Sequence, residues 1–93
     1  MPLRTIIWSA RARRDLEAIH DYIDERAPLA AQRFTLRLVN AADSLAEMPE
    51  RGRLARRGLR ELTVIYPYII RYQVLSAAIR IVRIKHGAQR PET

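Results

Sequence analysis

The segment 79–90 concentrates the side chains of this chain that are best suited to meet an anion. It reads IRIVRIKHGAQR, an apolar strand pattern interrupted by cations, which ends on a histidine and a basic tail. A core strand has no need of these charges, because a buried cation requires a partner. The end of this strand is therefore the first place to look for a surface that contacts an anion or a macromolecule.

The composition favours an anionic partner. The chain has 93 residues and a net charge of +7, with a pI of about 11.0. Such a charge attracts nucleic acid, acidic proteins or anionic membrane surfaces, and a solvated basic surface is the alternative for any single cluster. Apolar residues make up 48% of the chain. This is enough for a single small domain over residues 1–93 with a thin core.

Other chemistries find little support in the sequence. The two histidines, His20 and His86, are far apart and lack a carboxylate cluster at metal-ligand spacing, and there are no cysteines. Gly52 and Gly58 do not form a phosphate-binding motif. There is no recognisable signal peptide, and no segment approaches the roughly 20 apolar residues that span a bilayer. We expect a cytoplasmic protein without cofactor, metal or membrane partner.

Two helices are predicted in the first half of the chain. A first strand at residues 4–8 is followed by Ser9, which stands at the N-cap position of a helix from residue 10 to about residue 26. Residues 27–28 break this helix and begin a second one, which runs to about Met48. Each helix carries an apolar stripe, and the short link predicts an antiparallel helical hairpin.

The second helix carries more apolar residues than one stripe needs. Leu29, Leu36 and Val39 project from nearly the opposite side to Phe34 and Leu38. Two interpretations stay open for these three side chains. They pack against the first helix or a loop, or they form an apolar groove that a partner helix or strand fills.

Three strand patterns follow a cationic loop at residues 51–58. They cover residues 59–65, 68–75 and 78–86, and their short links predict an antiparallel meander. The first strand must join this sheet to satisfy its backbone, and the helical hairpin covers one face. The predicted fold is α+β in the order β-α-α-β-β-β, with a small, mainly antiparallel sheet whose other face is partly open.

Short motifs follow one another in a fixed order along nearly the whole chain. They are Trp8-Ser9, Ala12, Asp15-Leu16, Ile19, Tyr22-Ile23, Phe34, Leu45, Pro49, Gly52, LREL at 59–62, YIIRY at 68–72, and residues 81–87. In this order the chain resembles the ParE branch of the RelE/ParE superfamily, the toxin halves of bacterial type II toxin–antitoxin modules. That family's fold is the β-α-α-β-β-β arrangement predicted above.

The resemblance implies one of two activities. ParE-like toxins bind and poison DNA gyrase, trap its cleaved DNA complex and block replication, and they are not known to catalyse a reaction. RelE-like toxins cut messenger RNA in the ribosomal A site. We expect the ParE-like activity, which inhibits growth and stabilises plasmids. The expected surface for docking onto gyrase with its DNA consists of Arg83, Lys85, His86 and Arg90.

A nuclease is the alternative, and the sequence departs from its pattern. Metal-free cleavage through a 2′-hydroxyl needs a base, a cation for the phosphorane charge and an acid for the leaving oxygen. Many RelE-like nucleases have an arginine after the aromatic residue that opens the middle meander strand, where this chain has Tyr68 followed by Ile69. No tyrosine follows His86 either. The candidates left for this chemistry are His86, Arg83, Arg71 and Glu61, with His86 as acid or base.

These candidate residues also have structural interpretations. His86 ends the strand with its ring hydrogen-bonded to a loop, and Arg60 and Glu61 take part in a cross-strand ion pair. A third hypothesis for the whole chain is a toxin relative that binds its antitoxin and has lost toxicity. These alternatives predict an interaction surface without catalysis.

A cognate ParD-like antitoxin is the partner that the resemblance implies, in a toxin–antitoxin hetero-oligomer. We expect it to bind through a flexible, amphipathic C-terminal segment that buries Leu29, Leu36, Val39 or the border residue Tyr22. Its acidic side chains are expected near the arginines of the toxin. Binding of this segment would offset the marginal stability of the small core.

Overall fold

The computed structural model describes residues 3–87, so Arg90 lies outside the described residues. Within this range the chain forms two helices and five strands. They are β1 (Thr5–Trp8), α1 (Ala10–Asp24), α2 (Pro28–Asp43), β2 (Arg53–Leu54), β3 (Arg60–Ile65), β4 (Tyr68–Val74) and β5 (Ala78–His86). The predicted α+β order is confirmed, with the two-residue strand β2 as an addition.

The five strands form one sheet in the order β1-β5-β4-β3-β2. Strands β2 to β5 pair antiparallel, as the meander predicts. Strand β1 joins the sheet next to β5 and runs parallel to it, with Ile6 opposite Ile79 and Trp8 opposite Ile81. This parallel pairing is possible because many residues separate the two strands, whereas a tight hairpin makes only antiparallel neighbours.

Local hydrogen bonds set the ends of the helices. The Ser9 hydroxyl accepts a hydrogen bond from the Ala12 N–H (3.0 Å) and donates one to the Val82 carbonyl (2.9 Å), so the predicted N-cap also ties α1 to β5. Helix α2 ends before the predicted end near Met48, because a 3₁₀ turn, Ser44–Ala46, follows it. Such a tighter turn satisfies carbonyls that the last helical turn leaves unpaired.

The core lies between the helical hairpin and one face of the sheet. Side chains that are fully buried come from both layers: Ala12, Leu38, Ala42, Leu45, Ile70, Tyr72, Ile79 and Ile81. Side chains alternate along β4, since Ile70 and Tyr72 point into this core while Arg71 and Gln73 do not. The opposite face of the sheet therefore carries the polar residues of β4.

A buried tyrosine holds the loop between α2 and β3 in place. The Tyr72 hydroxyl donates to the Pro49 carbonyl (2.7 Å) and accepts from the Gly52 N–H (2.8 Å), and Arg60 donates to the Gly52 carbonyl (2.7 Å). Burial raises the pKa of Tyr72, and the Gly52 hydrogen bond only partly offsets this effect. The phenol therefore stays protonated, and its hydrogen bonds to Pro49 and Gly52 hold the loop against the core.

Candidate functional site

The cations expected to contact a target at the end of β5 are covered to different degrees. Lys85 is buried, with 7% of its surface exposed, and Arg83 is half-buried. Neither cation is therefore fully exposed in the free chain. Lys85 is buried although its position opposite Ile69 places it on the face of the sheet away from the helices. Arg83 is half-buried beside an acidic partner. A part for these residues in target binding stays a prediction.

The partner of Arg83 is Asp15 of α1. Arg83 Nε donates to Asp15 Oδ2 at 2.9 Å, and the same oxygen accepts the backbone N–H of Ile84 at 2.9 Å. Strand β1 pairs only with the first half of β5, so Asp15 occupies the edge of β5 beyond the end of β1. The i, i+4 pair with Arg11 is present but longer, at 3.7 Å.

His86 lies on the face of the sheet that the helices cover. It stands opposite Tyr68 in the register, and the two rings meet edge to face with their centroids 5.4 Å apart. Tyr68 in turn contacts Phe34 of α2 in the same manner at 5.6 Å. Because side chains alternate along β4, Tyr68 and Arg71 point to opposite faces of the sheet. His86 is thereby separated from Arg71 by the sheet itself.

Glu61 and Arg71 form an ion pair on the open face. They are opposite each other in β3 and β4, and Arg71 donates to Glu61 Oε2 from Nε (3.1 Å) and from Nη2 (2.8 Å). Arg53 approaches the other carboxylate oxygen at 3.6 Å. A cross-strand ion pair was predicted around Arg60 and Glu61. It forms with Arg71, because Arg60 points to the other face and donates to the Gly52 carbonyl.

The structure brings three of the four candidate nuclease residues together, since Glu61 lies opposite Arg71 and Arg71 lies opposite Arg83, and it leaves His86 apart from them. His86 is on the helix-covered face, Glu61 and Arg71 neutralise each other on the open face, and Arg83 is paired with Asp15. Acid–base catalysis needs such groups within hydrogen-bond reach of one substrate.

Two further kinds of site find no basis in residues 3–87. No three His, Cys, Asp or Glu side chains are placed there to hold a metal ion. Neither helix in this range has the length and apolar character to cross a bilayer.

Most of the candidate antitoxin-binding residues are exposed. Tyr22, Leu29 and Leu36 have exposed fractions of 59%, 60% and 58%, while Val39 is half-buried. The structure thus separates the two interpretations of the extra apolar residues. Packing within the chain accounts in part for Val39. Leu29 and Leu36 stay uncovered on the outer side of α2, turned away from Phe34.

Tyr22 belongs to a different surface from Leu29 and Leu36. It is close enough to Tyr68 that its charge, together with the larger effect of burial, raises the pKa of Tyr68. The Arg26 guanidinium lies over the Tyr22 ring at 4.6 Å, and that of Arg37 lies 5.7 Å from the Phe34 ring. Sequence reasoning did not single out these two arginines. Their spacing of four and three residues from an aromatic side chain is the signal that could have found them.

Known proteins match this chain over most of its length. The family model for the ParE toxin of the type II toxin–antitoxin system parDE matches residues 6–91. Toxin RelE2 of Caulobacter vibrioides is 60% identical over 84 residues, which cover 90% of this chain and 96% of that protein. The putative toxin Y4kP of Sinorhizobium fredii is 40% identical over 91 residues, which cover 96% of this chain and 94% of that protein.

A solved structure shares the fold. A chain of the chromosomal ParDE toxin–antitoxin system from P. aeruginosa superposes with a TM-score of 0.82 at 26% identity, over 90% of this chain and 96% of that one. The family match, the relatives and the shared fold agree with the motifs along the chain. This protein belongs to the ParE toxin family and is the toxin of a type II toxin–antitoxin module.

Proposed function

We propose that this toxin inhibits DNA gyrase by binding to it, without catalysing a reaction. The division of the candidate nuclease residues between the two faces of the sheet carries this proposal. His86 contacts Tyr68 on the helix-covered face, whereas Arg71 is bound to Glu61 on the open face. A metal-free nuclease needs its acid, base and cation around one phosphate. Membership of the ParE family makes gyrase the expected target.

The charges of the two arginines also favour binding over catalysis. Arg71 is neutralised by Glu61 and Arg83 by Asp15, both through hydrogen bonds of 2.9 Å or less. A phosphorane bound by either guanidinium would compete with the carboxylate that already neutralises its charge. The two ion pairs stabilise the fold and leave these arginines less available to bind a phosphate.

The test is a pair of assays on the same purified toxin. We expect inhibition of gyrase supercoiling and accumulation of cleaved DNA complexes, while messenger RNA stays intact in a ribosome-dependent translation reaction. The variant His86→Ala is expected to leave RNA integrity unchanged, like the control His20→Ala. Ribosome-dependent cuts within codons that His86→Ala abolishes, with supercoiling unaffected, would contradict the proposal.

Ribosome-dependent cleavage of messenger RNA is the second candidate function. Relatives that are 60% and 38% identical to this chain are named Toxin RelE2 and Toxin RelE1. The same pair of assays separates the two functions. Unimpaired growth on strong expression of the toxin alone would favour the third hypothesis, a relative that has kept antitoxin binding and lost toxicity.

We also propose that a ParD-like antitoxin covers the outer side of α2. Leu29 and Leu36 lie one above the other there, with the exposed Arg33 between them. An amphipathic segment with acidic residues beside its apolar stripe matches this surface in both shape and charge. The shared fold with a chain of a ParDE system supports a partner of this class.

The double variant Leu29→Ser/Leu36→Ser tests this surface. Each buried leucine contributes about 1.5–3 kcal/mol to an apolar contact, so we expect antitoxin affinity to fall at least about 100-fold. Both residues are exposed in the free toxin, so toxicity should persist while rescue by the antitoxin from the adjacent reading frame is lost. The control Val64→Ser, at an exposed apolar residue of β3, should bind normally. Unchanged affinity of the double variant would place the antitoxin elsewhere.

A further inference from the structure

In the described part of the chain, the loop between α2 and β3 is one of two clusters of exposed arginines, the other being Arg11, Arg13 and Arg14 at the start of α1. This arginine loop, residues 51–58, carries Arg51, Arg53, Arg56 and Arg57, all exposed to solvent. Within residues 3–87, Arg56 and Arg57 make no ion pair. Arg53 makes only a long one with Glu61 at 3.6 Å, and that carboxylate is held more closely by Arg71. Arg51 donates to the Ser44 hydroxyl at 2.7 Å. Arg56 and Arg57 therefore present the positive charge that the fold does not use, in contrast to Arg83 and its acidic partner.

The arginine loop has a fixed backbone. Gly52 is bound on both sides, by the Tyr72 hydroxyl and by Arg60, and β2 pairs with β3. Farther along, the Ala55 N–H donates to the Leu59 carbonyl at 2.7 Å. Binding of an anion then costs little backbone freedom, and only the arginine side chains become ordered.

The backbone at the tip of the loop is suited to an anion as well. Arg56 is helical and Arg57 is left-handed, with φ 60° and ψ 31°. This succession turns neighbouring N–H groups toward one side and forms a concave surface that binds anions. This left-handed conformation is less favourable for an arginine than for a glycine.

We infer that the arginine loop binds the phosphate backbone of duplex DNA. The inference rests on the proposed function, because gyrase is the target that would hold duplex DNA beside the toxin. Guanidinium groups bind phosphates through paired hydrogen bonds. A protein partner fits less well, because protein interfaces centre on clusters of buried apolar anchors and this loop exposes only Leu54 among its large apolar residues.

Salt-dependent binding of a fluorescent 20-base-pair duplex DNA to the intact toxin tests the inference. The slope of log K against log salt is negative, and each lost phosphate contact reduces its magnitude by about 0.9. Arg56→Gln/Arg57→Gln should therefore reduce the magnitude by about 1.8. Between 50 and 200 mM salt, the wild type should then lose roughly tenfold more affinity than this variant. The control is Arg13→Gln/Arg14→Gln, an equal change of charge at two exposed arginines of α1, which should keep the wild-type slope.

Several results would overturn the inference. They are the absence of DNA binding by the wild type, equal effects of the two double variants, and tighter binding to RNA of the same length. Loss of binding to DNA-free gyrase in the loop variant, with DNA affinity unchanged, would assign the loop to a protein contact and overturn it as well. Failure of the gyrase proposal is distinguishable. In that case the toxin leaves supercoiling intact, while loop-dependent DNA affinity is still measured.

Discussion

Asp15 takes the place of a strand partner for β5. It accepts hydrogen bonds from the Ile84 N–H and from Arg83 beyond the end of β1. We expect Asp15→Ala to lower the free energy of unfolding by about 2–4 kcal/mol, because it leaves a backbone N–H and a partly buried guanidinium without their acceptor. Asp15→Asn keeps one acceptor oxygen and should cost less. Urea unfolding followed by circular dichroism measures both changes.

The control for Asp15 is Arg11→Ala. Arg11 is exposed and its carboxylate contact is 3.7 Å, so its removal should change stability by less than about 0.5 kcal/mol. Similar losses for Arg11→Ala and Asp15→Ala would show that the contact with β5 adds nothing to the stability of the fold.

Tyr68 and Tyr72 make the stability of the toxin sensitive to alkaline pH. Burial is the main cause that raises the pKa of both phenols above the ordinary value of 10.0. Above about pH 10 the unfolded chain therefore binds fewer protons than the folded chain, and stability falls as the pH rises. The contribution is fully present below that pH. We expect the urea midpoint to decline as the pH rises above about 10, and Tyr68→Phe to reduce the decline.

Tyr66 supplies the matched control, because 88% of its surface is exposed. Tyr66→Phe removes the same hydroxyl from a side chain that the fold does not cover, so it should leave the alkaline decline unchanged. An equal reduction by Tyr66→Phe and Tyr68→Phe would rule out the buried phenols as its cause.

Single-residue contacts were predictable only where they are local. Ser9 was predicted as the cap of α1 from its position before the helix, and the hydrogen bond is present. The pairing of Asp15 with Arg83 spans 68 residues and depends on β1 being shorter than β5. Spacing within α1 could only predict the weaker neighbour, Arg11. For the same reason the sequence did not show that Arg83 is neutralised.

At the scale of elements, the arginine loop depends on the close approach of Gly52 to Tyr72. A Cβ at Gly52 would lie 2.7 Å from two Tyr72 side-chain atoms and 2.9 Å from a Glu61 backbone carbon. We expect Gly52→Ala to destabilise the fold by about 1–3 kcal/mol and to increase hydrogen exchange in the loop, because these atoms must move apart. Thermal unfolding and amide exchange measure the two effects.

Gly58 gives the comparison within the same loop. A Cβ there meets nothing within 4 Å, but its φ of +74° is one that other residues adopt at a cost. Gly58→Ala should therefore cost about 1 kcal/mol through the backbone alone, with the hydrogen bonds at Gly52 kept. A larger loss at Gly58 than at Gly52 would contradict the anchoring of the loop by Tyr72.

The regular elements were predictable because their apolar residues follow a period. The structure contains the two predicted helices and the predicted meander, and the helical hairpin covers one face of the sheet as expected. Strand β2 was missed because it has two residues, both exposed, and so shows no alternation. The end of α2 was placed too late because Leu45 continues the apolar stripe into a 3₁₀ turn. The aromatic contact between Phe34 of α2 and Tyr68 of β4 was not predicted, because residue spacing gives no information on contacts between a helix and a distant strand.

At the scale of the whole molecule, the apolar and the cationic surfaces lie on different elements. Leu29 and Leu36 are on the outer side of α2, whereas the arginine loop follows that helix and joins the edge of the sheet at β2. A partner on one surface need not displace a partner on the other. Leu29→Ser/Leu36→Ser should therefore lower antitoxin affinity alone, and Arg56→Gln/Arg57→Gln should lower DNA affinity alone. The variant with all four substitutions should show both losses at their separate sizes.

Antitoxin binding should also stabilise the whole toxin, because the free chain has only a thin core between one sheet and two helices. A partner that binds only the folded state adds about 2.7 kcal/mol at a concentration of 100 times its Kd. In a domain of this size, 1 kcal/mol corresponds to about 4–8 °C in Tm, so a rise of about 10–20 °C is expected. Calorimetry of the toxin with and without the antitoxin's C-terminal segment measures this rise in Tm.

The variant Leu29→Ser/Leu36→Ser tests where the antitoxin acts. Without antitoxin its Tm should equal that of the wild type, since both side chains are exposed, and addition of the antitoxin should no longer raise it. A full rise in this variant would mean that the antitoxin stabilises the fold from another surface, with the aromatic cluster around Tyr22 and Tyr68 as the next to test.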